Sequence, residues 1–340
     1  MVIFETDRLI VRRYTADDEE NFFLLNGDPE VMRYIREPKD RQECSIFLKR
    51  NLALYQHQPL MGRWAMEEKG SNAFVGSFAI IPVETTDSRR HSEIQLGYAL
   101  LKDYWGKGYA TESTLAGKQY AFDVMKLPLI VAITEPANIA SQKVLLRCGF
   151  QQQPDIKEGN KPLCYFTSRN PNCIETERLH LFPLTASQLH LYLKANDGLE
   201  NALGLTPFGR TIAPQVKDMV AKFTLPNMEK ATGNDYLFYT FWLVVDKQSR
   251  LIVAELGFKG PPGEDGRVEI GYGTMPAQQN KGYMTEAVKG LLQWAAGRSA
   301  INTVLAETHA LNKASIRVVE KNGFTRSAQH GEMIWWEKRI

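Results

Sequence analysis

Apolar and polar residues alternate at the start of the chain, and the same alternation returns about half a chain later. The first alternating segment covers residues 3–14, and the second covers residues 174–183. Alternation with a period of two puts one set of side chains on each face, which predicts a β-strand. The stretch after the first strand, roughly residues 17–55, lacks this alternation, and we expect it to be rich in helix.

Three more segments of strand length and composition follow in each half. A helical pattern comes next. In the second half, apolar residues recur at i, i+3, i+4 and i+7 between Met284 and Ala295, and Gly297 is placed to end the helix. A buried strand and a short helix that stops at Gly149 or Gly323 complete each half. The order predicts an α+β domain that occurs twice, each copy with a mixed, mostly antiparallel twisted sheet flanked by helices.

The two halves also share sequence. Trp64 and Trp242 occupy matching strand positions and are expected to be core aromatics. A boundary is expected in the Ser, Asn and Pro cluster of residues 167–173, which gives domains at residues 1–168 and 173–340. The segments that recur, in the same order, are residues 4–18 and 174–188, 95–101 and 269–275, 107–112 and 281–286, and 138–150 and 312–324.

Composition argues against a nucleic-acid-binding, a membrane-spanning or a metal-binding protein. The chain has 340 residues with 41 basic and 39 acidic side chains, so it lacks the basic excess of nucleic-acid-binding proteins. No apolar run reaches membrane-spanning length, and the opening segment has the pattern of a strand and not of a signal peptide. The four cysteines and six histidines show no metal-ligand spacing, so we expect reduced thiols and no metal site. We expect a cytoplasmic protein with no nucleic-acid or membrane partner.

The phrase Lys-Gly-Tyr-x-Thr-Glu occurs at residues 107–112 and again at residues 281–286. In both places it lies between a predicted strand and a predicted helix, so its backbone N–H groups form the open start of that helix. Such a start has unpaired donors and a partial positive charge, which suit a phosphate or pyrophosphate. Gly106 and Gly108 would let the backbone approach the anion, and Lys107 adds charge. A glycine-rich turn before a helix has the same pattern without any ligand, and the spacing fits neither a P-loop nor a dinucleotide fingerprint.

Three motifs together resemble a known family. They are ETDRLIVR, LGYALLKDYWGKGYATES and NxxSxxVLxxxGF in the first half, and each has a counterpart in the second. In this order they resemble the GCN5-related N-acetyltransferases (GNAT), and within them the branch of the ribosomal-protein N-terminal acetyltransferases. The resemblance implies acetyl-CoA as the acyl donor and direct attack in a ternary complex by a primary amine, from a protein N-terminus or a small molecule. The alternative in another class is an acyl-CoA-binding protein in which one or both domains are inactive.

The resemblance also implies where acetyl-CoA would bind. The family pattern has Gln or Arg at the positions of Asp103 and Ala277 and Gly at that of Asn280, so we expect a weaker second site. Asn tolerates unusual φ angles better than most residues, so the second loop is altered but not destroyed. Asn138 and Asn312 would contact the pantetheine arm, although an Asn at a helix start is usually a cap. The implied residues are Tyr98, Ala99, Leu100 and Leu101 for the pantetheine arm, Gly106, Lys107, Gly108, Tyr109, Ala110 and Thr111 for the pyrophosphate in the first half, and Lys281, Gly282, Tyr283, Met284 and Thr285 in the second.

Acyl transfer to an amine needs a donor for the oxyanion and an acid for the departing thiolate. A backbone N–H on the strand after Gly97 or Gly271 would serve the oxyanion. Many members of the family use a tyrosine of the last helix as the acid, but its two positions here hold Leu145 and Val319.

Two serines and two glutamates are the remaining candidates for catalysis. Similar enzymes of the ribosomal branch offer the serine three residues after the asparagine, which is Ser141 or Ser315. The alternative for both is a first-turn residue that bonds to its own helix. Glu93 and Glu269, on the strand before the loop, are candidate bases. The alternatives are that they are solvated edge carboxylates and that water takes the proton of the amine.

Overall fold

The structure is a computed structural model that describes residues 1–83, 90, 93–159, 161–194, 196–209 and 211–340. The chain divides into two compact units, Met1–Asn170 and Pro171–Ile340. The last strand of the first unit ends at Arg169, so the first residues of the segment in which we expected the boundary belong to that strand. Within the described ranges, no helix has the length and apolar character needed to cross a membrane.

The first unit is one sheet with helices on its faces. Its strands are β1 (Val2–Glu5), β2 (Leu9–Arg13), β3 (Gly62–Glu68), β4 (Phe74–Pro82), β5 (Ile94–Leu100), β6 (Leu129–Thr134), β7 (Gln151–Glu158) and β8 (Lys161–Arg169). Its helices are α1 (Glu19–Asn26), α2 (Pro29–Met32), α3 (Arg41–His57), α4 (Tyr109–Asp123) and α5 (Ile139–Arg147). The strand order is β1-β2-β3-β4-β5-β6-β8-β7. Neighbouring strands are antiparallel except β5 and β6, which are parallel.

The second unit repeats this plan. Its strands are β9 (Ile174–Glu175), β10 (Leu179–Pro183), β11 (Trp242–Asp246), β12 (Ile252–Phe258), β13 (Arg267–Thr274), β14 (Thr303–His309), β15 (Thr325–His330) and β16 (Met333–Arg339). Its helices are α6 (Ala186–Leu193), α7 (Gly198–Leu203), α8 (Pro214–Met219), α9 (Leu225–Lys230), α10 (Tyr283–Ala296) and α11 (Lys313–Lys321). The order is β9-β10-β11-β12-β13-β14-β16-β15, with β13 and β14 as the parallel pair.

These two sheets confirm the predicted α+β fold with mixed, mostly antiparallel strands. A parallel pair needs a crossover connection, and α4 and α10 supply it between β5 and β6 and between β13 and β14. The Lys-Gly-Tyr phrase forms the end of the loop before each crossover helix and the first turn of that helix. The fold therefore puts the phrase at the end of a central strand and not in a surface hairpin.

The predicted core aromatics are buried in both units. Trp64 and Trp242 are fully buried in the sheet. In the second unit Trp294 of α10 packs edge-on against Trp242, with ring centroids 4.9 Å apart. Burial of such large side chains is a main source of stability in a domain of this size.

The predicted helix ends are also present, with one difference in detail. Gly149 and Gly323 follow α5 and α11 with φ of +79° and +74°, the left-handed conformation expected for a glycine that ends a helix. Gly297 does end α10, but its φ is −75°. That position therefore ends the helix without using the conformational freedom of glycine.

In both sheets the parallel pair separates along its length. In the first unit the parallel register holds only Gln95 with Val131. In the second unit it covers four residue pairs and ends at Ile270 with Ala306. Beyond these positions β5 and β13 stay paired on their other side, with β4 and β12. Within the described residues, each unit therefore has an open strand edge in the middle of its sheet.

We predict that Gly117 is required for the close packing of α4 on β4. A Cβ added there would lie 2.1 Å from Cζ of the buried Phe78. Alanine would add about 1 kcal/mol of helix propensity, but overpacking of the core costs about 1–3 kcal/mol or more. Gly117→Ala should therefore lower the free energy of unfolding, by up to about 2 kcal/mol, in denaturant titrations of the full chain.

Gln119→Ala, at an exposed site on the same helix, is the matched control and should change this free energy by less than about 0.5 kcal/mol. Equal values for the wild type and Gly117→Ala would show that α4 does not need a glycine to lie on β4.

Candidate active site

The helices α4 and α10 begin without a capping side chain. Their N-cap residues are Gly108 and Gly282, whose φ angles of +86° and +79° lie in the left-handed region. The first N–H groups of a helix have no partner within the helix, and glycine has no side-chain oxygen to accept from them. Several N–H groups and the positive end of the helix dipole are therefore available at each helix start. The residues that supply them are Tyr109, Ala110, Thr111, Tyr283, Met284 and Thr285.

The loop before each helix keeps its backbone conformation although one glycine is replaced. Gly106 has a φ of +72°, and Asn280 at the matching position has a φ of +62°. Asn is among the residues that adopt this conformation most readily, as expected from the sequence. A Cβ built on Gly106 meets no atom within 4 Å, so a side chain has room at this position. The two loops differ there by a side chain and not by a backbone rearrangement.

A charged clamp, formed by Thr6, Arg8 and Glu112, ties the start of α4 to the first strands of the unit. The Thr6 hydroxyl and the Arg8 backbone N–H (2.9 Å) both donate to Glu112 Oε1. Arg8 Nε donates to Glu112 Oε2 (2.7 Å), and Arg8 Nη1 donates to the carbonyl oxygen of Lys107 (3.1 Å). One guanidinium group therefore holds both the helix and the loop before it.

The second unit has the same clamp, formed by Thr176, Arg178 and Glu286. The Thr176 hydroxyl (2.6 Å) and the Arg178 backbone N–H (2.8 Å) donate to Glu286 Oε1. Arg178 Nε donates to Glu286 Oε2 (2.7 Å), and its Nη1 donates to the carbonyl oxygen of Lys281 (3.1 Å). The clamp was not predicted, although both halves carry its signal: Thr-x-Arg near the start and Glu at the end of the Lys-Gly-Tyr phrase.

The clamp determines the charge state of its glutamate. Partial burial favours the neutral form of Glu112, but the hydrogen bonds from Thr6 and from the backbone and side chain of Arg8 outweigh it and lower its pKa. The pKa of Glu286 is lowered in the same way by Thr176 and Arg178, again against the effect of burial. Both carboxylates are therefore charged, and the clamp is an ionic contact.

The aromatic side chains of the phrase face the protein. The ring of Tyr109 lies 4.4 Å from the Arg8 guanidinium, and its hydroxyl donates to Glu68. Tyr283 makes the corresponding contacts with an arginine and an aspartate in the second unit. Met284 is buried in the core. These predicted cofactor residues can therefore offer a ligand little more than their backbone N–H groups.

The two lysines of the phrase lie over the turn before it. Lys107 is exposed, with its Nζ 5.3 Å from the centroid of the Tyr104 ring. Lys281 is also exposed, and its Nζ donates to Gln278 Oε1 (2.8 Å). Both ammonium groups therefore add positive charge beside the helix start.

The strand edge predicted for the pantetheine arm leads directly into this loop. Tyr98 and Leu100 pack on the face of the sheet covered by α4 and α5, whereas Ala99 and Leu101 pack with the cluster beneath α1 and α3. Trp105 Nε1 donates to the Leu100 carbonyl oxygen (2.7 Å) and fixes the turn that follows. The open edge and the uncapped helix start therefore lie at the same end of β5.

The helices α5 and α11 begin at asparagine caps. Asn138 Oδ1 accepts from the Ser141 N–H and Asn312 Oδ1 accepts from the Ser315 N–H, at 3.1 Å in both units. The predicted cap role of both asparagines is confirmed. Contact of either asparagine with a pantetheine arm stays a prediction.

The serine hydroxyls are oriented toward the strand. Ser141 Oγ lies 3.1 Å from the hydroxyl oxygen of Tyr98, and Ser315 Oγ lies 2.9 Å from that of Tyr272. These contacts cross from the last helix to β5 or β13, at the open edge. In the part of the chain that the structure describes, the partner of each serine hydroxyl is this tyrosine and not a group of its own helix.

The two candidate bases have cationic partners. Glu93 pairs with Arg90 Nη1 (3.2 Å) and accepts a hydrogen bond from the Tyr165 hydroxyl (3.0 Å). Glu269 accepts a hydrogen bond from Lys259 Nζ. Neither is a simple solvated edge carboxylate, and each would have to weaken this pairing to take a proton. Their role as bases stays a prediction.

The sheet face that carries Glu269 is charged in the second unit and largely apolar in the first. Lys259 lies 3.7 Å from Glu307 Oε2 as well, so charges extend across β12, β13 and β14. The corresponding positions of the first unit hold Ile81, Gln95 and Ile133. The two units therefore differ in charge at these three positions, which lie on the face opposite α4 and α10.

The fold and the site define an acetyltransferase with two domains. A family model for the acetyltransferase (GNAT) domain matches residues 8–151 and 178–325, so the chain belongs to this family, as the motifs indicated. The uncharacterized N-acetyltransferase YoaA of Bacillus subtilis is 28% identical over 158 residues, which cover 46% of this chain and 86% of YoaA. YkkB of Bacillus subtilis, an uncharacterized protein, is 28% identical over 171 residues, which cover 49% of this chain and 95% of YkkB. The crystal structure of a GNAT-family acetyltransferase from Bacillus anthracis covers 50% of this chain and 99% of its own, with 24% identity and a TM-score of 0.43.

We predict that each clamp stabilises its unit only while its glutamate is charged. Glu112→Gln and Glu286→Gln keep the size of the side chain and remove the charge, and each should lower the free energy of unfolding by about 1–3 kcal/mol near neutral pH. The folded-state pKa lies below the ordinary value of 4.5, so this stabilisation is present above that pH and is lost as the pH falls through the folded-state pKa.

Denaturant titrations of the full chain at about pH 7 and about pH 3 measure both effects. The difference between wild type and variant should shrink at the lower pH. A difference that is equally large at both values would contradict an ionic clamp.

Proposed function

We propose that this protein transfers an acetyl group from acetyl-CoA to a primary amine, of a protein N-terminus or a small molecule, by direct attack in a ternary complex. One observation carries the proposal: in both units an uncapped helix start follows directly from an open strand edge. The uncapped helix start suits a pyrophosphate, and the open strand edge suits a chain of amides. Membership of the acetyltransferase (GNAT) family supports the same donor.

Acetyl-CoA would supply a thioester that is activated toward nucleophiles. The N–H groups after Gly108 and Gly282 would accept its pyrophosphate, because negative charge is stabilised at the positive end of a helix. The open edges of β5 and β13 would pair with the amides of its pantetheine arm, as a peptide adds to a sheet edge. Lys107 and Lys281 would contribute further positive charge.

The chemical step needs donors around the carbonyl group. As the nitrogen–carbon bond forms and the carbon–sulfur bond breaks, a backbone N–H after Gly97 or Gly271 would stabilise the oxyanion. The hydroxyl of Ser141 or Ser315 would donate a hydrogen bond to the sulfur, which leaves with the electron pair. The proton lost by the nitrogen would pass to water or to a carboxylate.

The alternative function is acyl-CoA binding without turnover in one or both units. This alternative is supported by the two positions at which many members of the family have a tyrosine that acts as the acid for the thiolate. Leu145 and Val319 fill these positions and lie in the hydrophobic core, with 1% and 0% of their surface exposed. Asn280 in the second loop favours this alternative for the second unit more than for the first.

We infer that the two units accept different amines. Different helices pack on the two sheets, α1–α3 in the first unit and α6–α9 in the second. A π-helical turn at Val220–Thr224 joins α8 and α9, whereas α3 is one continuous helix. Such turns are frequent at functional sites. Both the shape and the charge around an acceptor would therefore differ between the units.

Thiol release tests the proposal. The full chain is incubated with acetyl-CoA and a panel of amines that includes a peptide with a free N-terminus, a polyamine and an aminoglycoside. We expect amine-dependent release of free thiol. The double variant Gly108→Asp, Gly282→Asp should abolish it, because each change puts a side chain and a negative charge where a pyrophosphate must approach.

Gly331→Asp provides the control, since Gly331 also has a positive φ (+57°) but lies in the turn between β15 and β16, with no atom within 4 Å of an added Cβ. It should retain acetyl-CoA binding. Calorimetric binding of acetyl-CoA without thiol release from any amine would instead establish the binding protein. No binding at all would overturn both functions.

A second prediction concerns the unequal loops. Asn280→Gly should tighten acetyl-CoA binding in the second unit, and Gly106→Asn should weaken it in the first. One charge-assisted hydrogen bond that is lost or lengthened is worth about 1.5–3 kcal/mol, which corresponds to about ten- to a hundredfold in affinity. The shared φ angles mean that both exchanges fit the backbone.

Calorimetry of the full chain measures the two sites separately if the other unit carries the Gly→Asp change. The wild-type first site should be the tighter of the two. Equal affinities, or exchanges that leave both affinities unchanged, would contradict the prediction.

A further inference from the structure

A pair of hydroxyl groups joins β5 to α5 in the first unit and β13 to α11 in the second. Tyr98 and Ser141 bring their oxygens to 3.1 Å, and Tyr272 and Ser315 bring theirs to 2.9 Å. In both cases the tyrosine comes from the strand with the open edge and the serine from the first turn of the following short helix. The same contact is therefore formed in both units.

Each serine is held from two sides. Its backbone N–H is bound by the asparagine cap at 3.1 Å, which fixes the first turn of the helix. Its hydroxyl is bound by the tyrosine, which the strand holds in place. A serine side chain has little rotational freedom left when both contacts form. The direction of its hydroxyl is therefore set by the tyrosine and not by its own helix.

The tyrosine keeps its proton at neutral pH. Burial raises the pKa of Tyr98 to about 12, although the hydrogen bond with Ser141 acts in the opposite direction. Burial also raises the pKa of Tyr272, against the same effect from Ser315. A neutral tyrosine hydroxyl can donate to the serine oxygen, and a serine that accepts this bond still has its own proton to donate elsewhere. In the second unit the Tyr272 hydroxyl has a second acceptor, the Ser315 carbonyl oxygen at 3.3 Å, and the serine hydroxyl oxygen at 2.9 Å is the nearer of the two.

We propose that Tyr98 and Tyr272 are positioning residues that direct the serine hydroxyl toward the sulfur of the bound thioester. The inference rests on the proposed function and deepens it. The amine nitrogen forms a bond with the carbonyl carbon, the carbon–sulfur bond breaks, and the electron pair stays on sulfur. The serine donates a hydrogen bond to that sulfur. The nitrogen gives up one proton and the thiolate finally gains one, while the tyrosine keeps its own.

The arrangement also accounts for the replaced acid in the last helix. Ser141 and Leu145 are one helical turn apart, and the leucine side chain fills the core where many relatives have a tyrosine. In this chain a tyrosine hydroxyl reaches the same region from the strand. The chemistry of the departing thiolate is thus assigned to a serine that a strand residue orients, in place of an acid on the helix.

The test uses the full chain with Gly282→Asp, so that only the first unit turns over, and an amine that gives thiol release. Tyr98→Phe removes one oxygen and keeps the ring. It should lower kcat by about three- to tenfold, the effect of one hydrogen bond, and change the KM for acetyl-CoA by less than about twofold. Tyr272→Phe in the Gly108→Asp chain is the matched experiment on the second unit.

The decisive comparison is with Ser141→Ala. If Tyr98 acts through the serine, Tyr98→Phe should have no further effect on kcat in the Ser141→Ala chain. Calorimetry and thermal denaturation of every variant separate an effect through the serine from a role of Tyr98 in packing. A packing role would weaken acetyl-CoA binding or lower Tm, and it would act equally with and without the serine hydroxyl.

The outcomes are distinct. No amine-dependent thiol release by the wild type overturns the proposed function, and the inference with it. An active wild type whose kcat is unchanged by Tyr98→Phe overturns the inference alone, as does an equal loss of kcat with and without the serine hydroxyl.

Discussion

The open helix start in each unit depends on an ionic contact that lies outside the helix. A helix whose first N–H groups are left for a ligand cannot use them for its own cap, and the glycine before it adds conformational freedom that folding must remove. The arginine and threonine of the turn between the first two strands supply what the cap would otherwise give. They hold the glutamate one turn into the helix, and the arginine also holds a carbonyl oxygen of the loop. The first N–H groups of the helix can remain without a cap because the arginine holds the loop before them through a carbonyl oxygen.

The two copies share some of the contacts around the helix start and differ in others. The clamp, the left-handed glycine before the helix, the asparagine cap and the hydroxyl pair are present in both units. The helices of residues 19–57 and 186–230 differ in number and length, and Lys259, Glu269 and Glu307 stand where the first unit has uncharged residues. The parts that would hold the donor are thus built alike, and the parts that would meet an acceptor are not.

Local patterns predicted the fold, the glycines that end the short helices and the asparagine caps, because each depends on residues a few positions apart. The clamp joins residues 104 apart, and the hydroxyl pair joins residues 43 apart. Such contacts depend on strand order and on where a parallel pair separates, and neither follows from the period of apolar residues. The sequence nevertheless carried a signal for both contacts, since Thr-x-Arg, Glu and Tyr recur at matching positions in the two halves. The carboxylates Glu93 and Glu269 were selected by strand face alone, which does not reveal that a basic side chain already pairs with each.

The long separation within the clamp also affects the order of events during synthesis. The strands β1 to β5 are neighbours in the sheet in the order in which they are made, so each can pair with the one before it as the chain grows. Arg8 must nevertheless wait for Glu112, 104 residues later, which at cellular rates of translation is about 5–20 s. Until then the turn between β1 and β2 has no carboxylate partner from α4. The nascent unit can therefore form most of its sheet before the clamp fixes the start of α4.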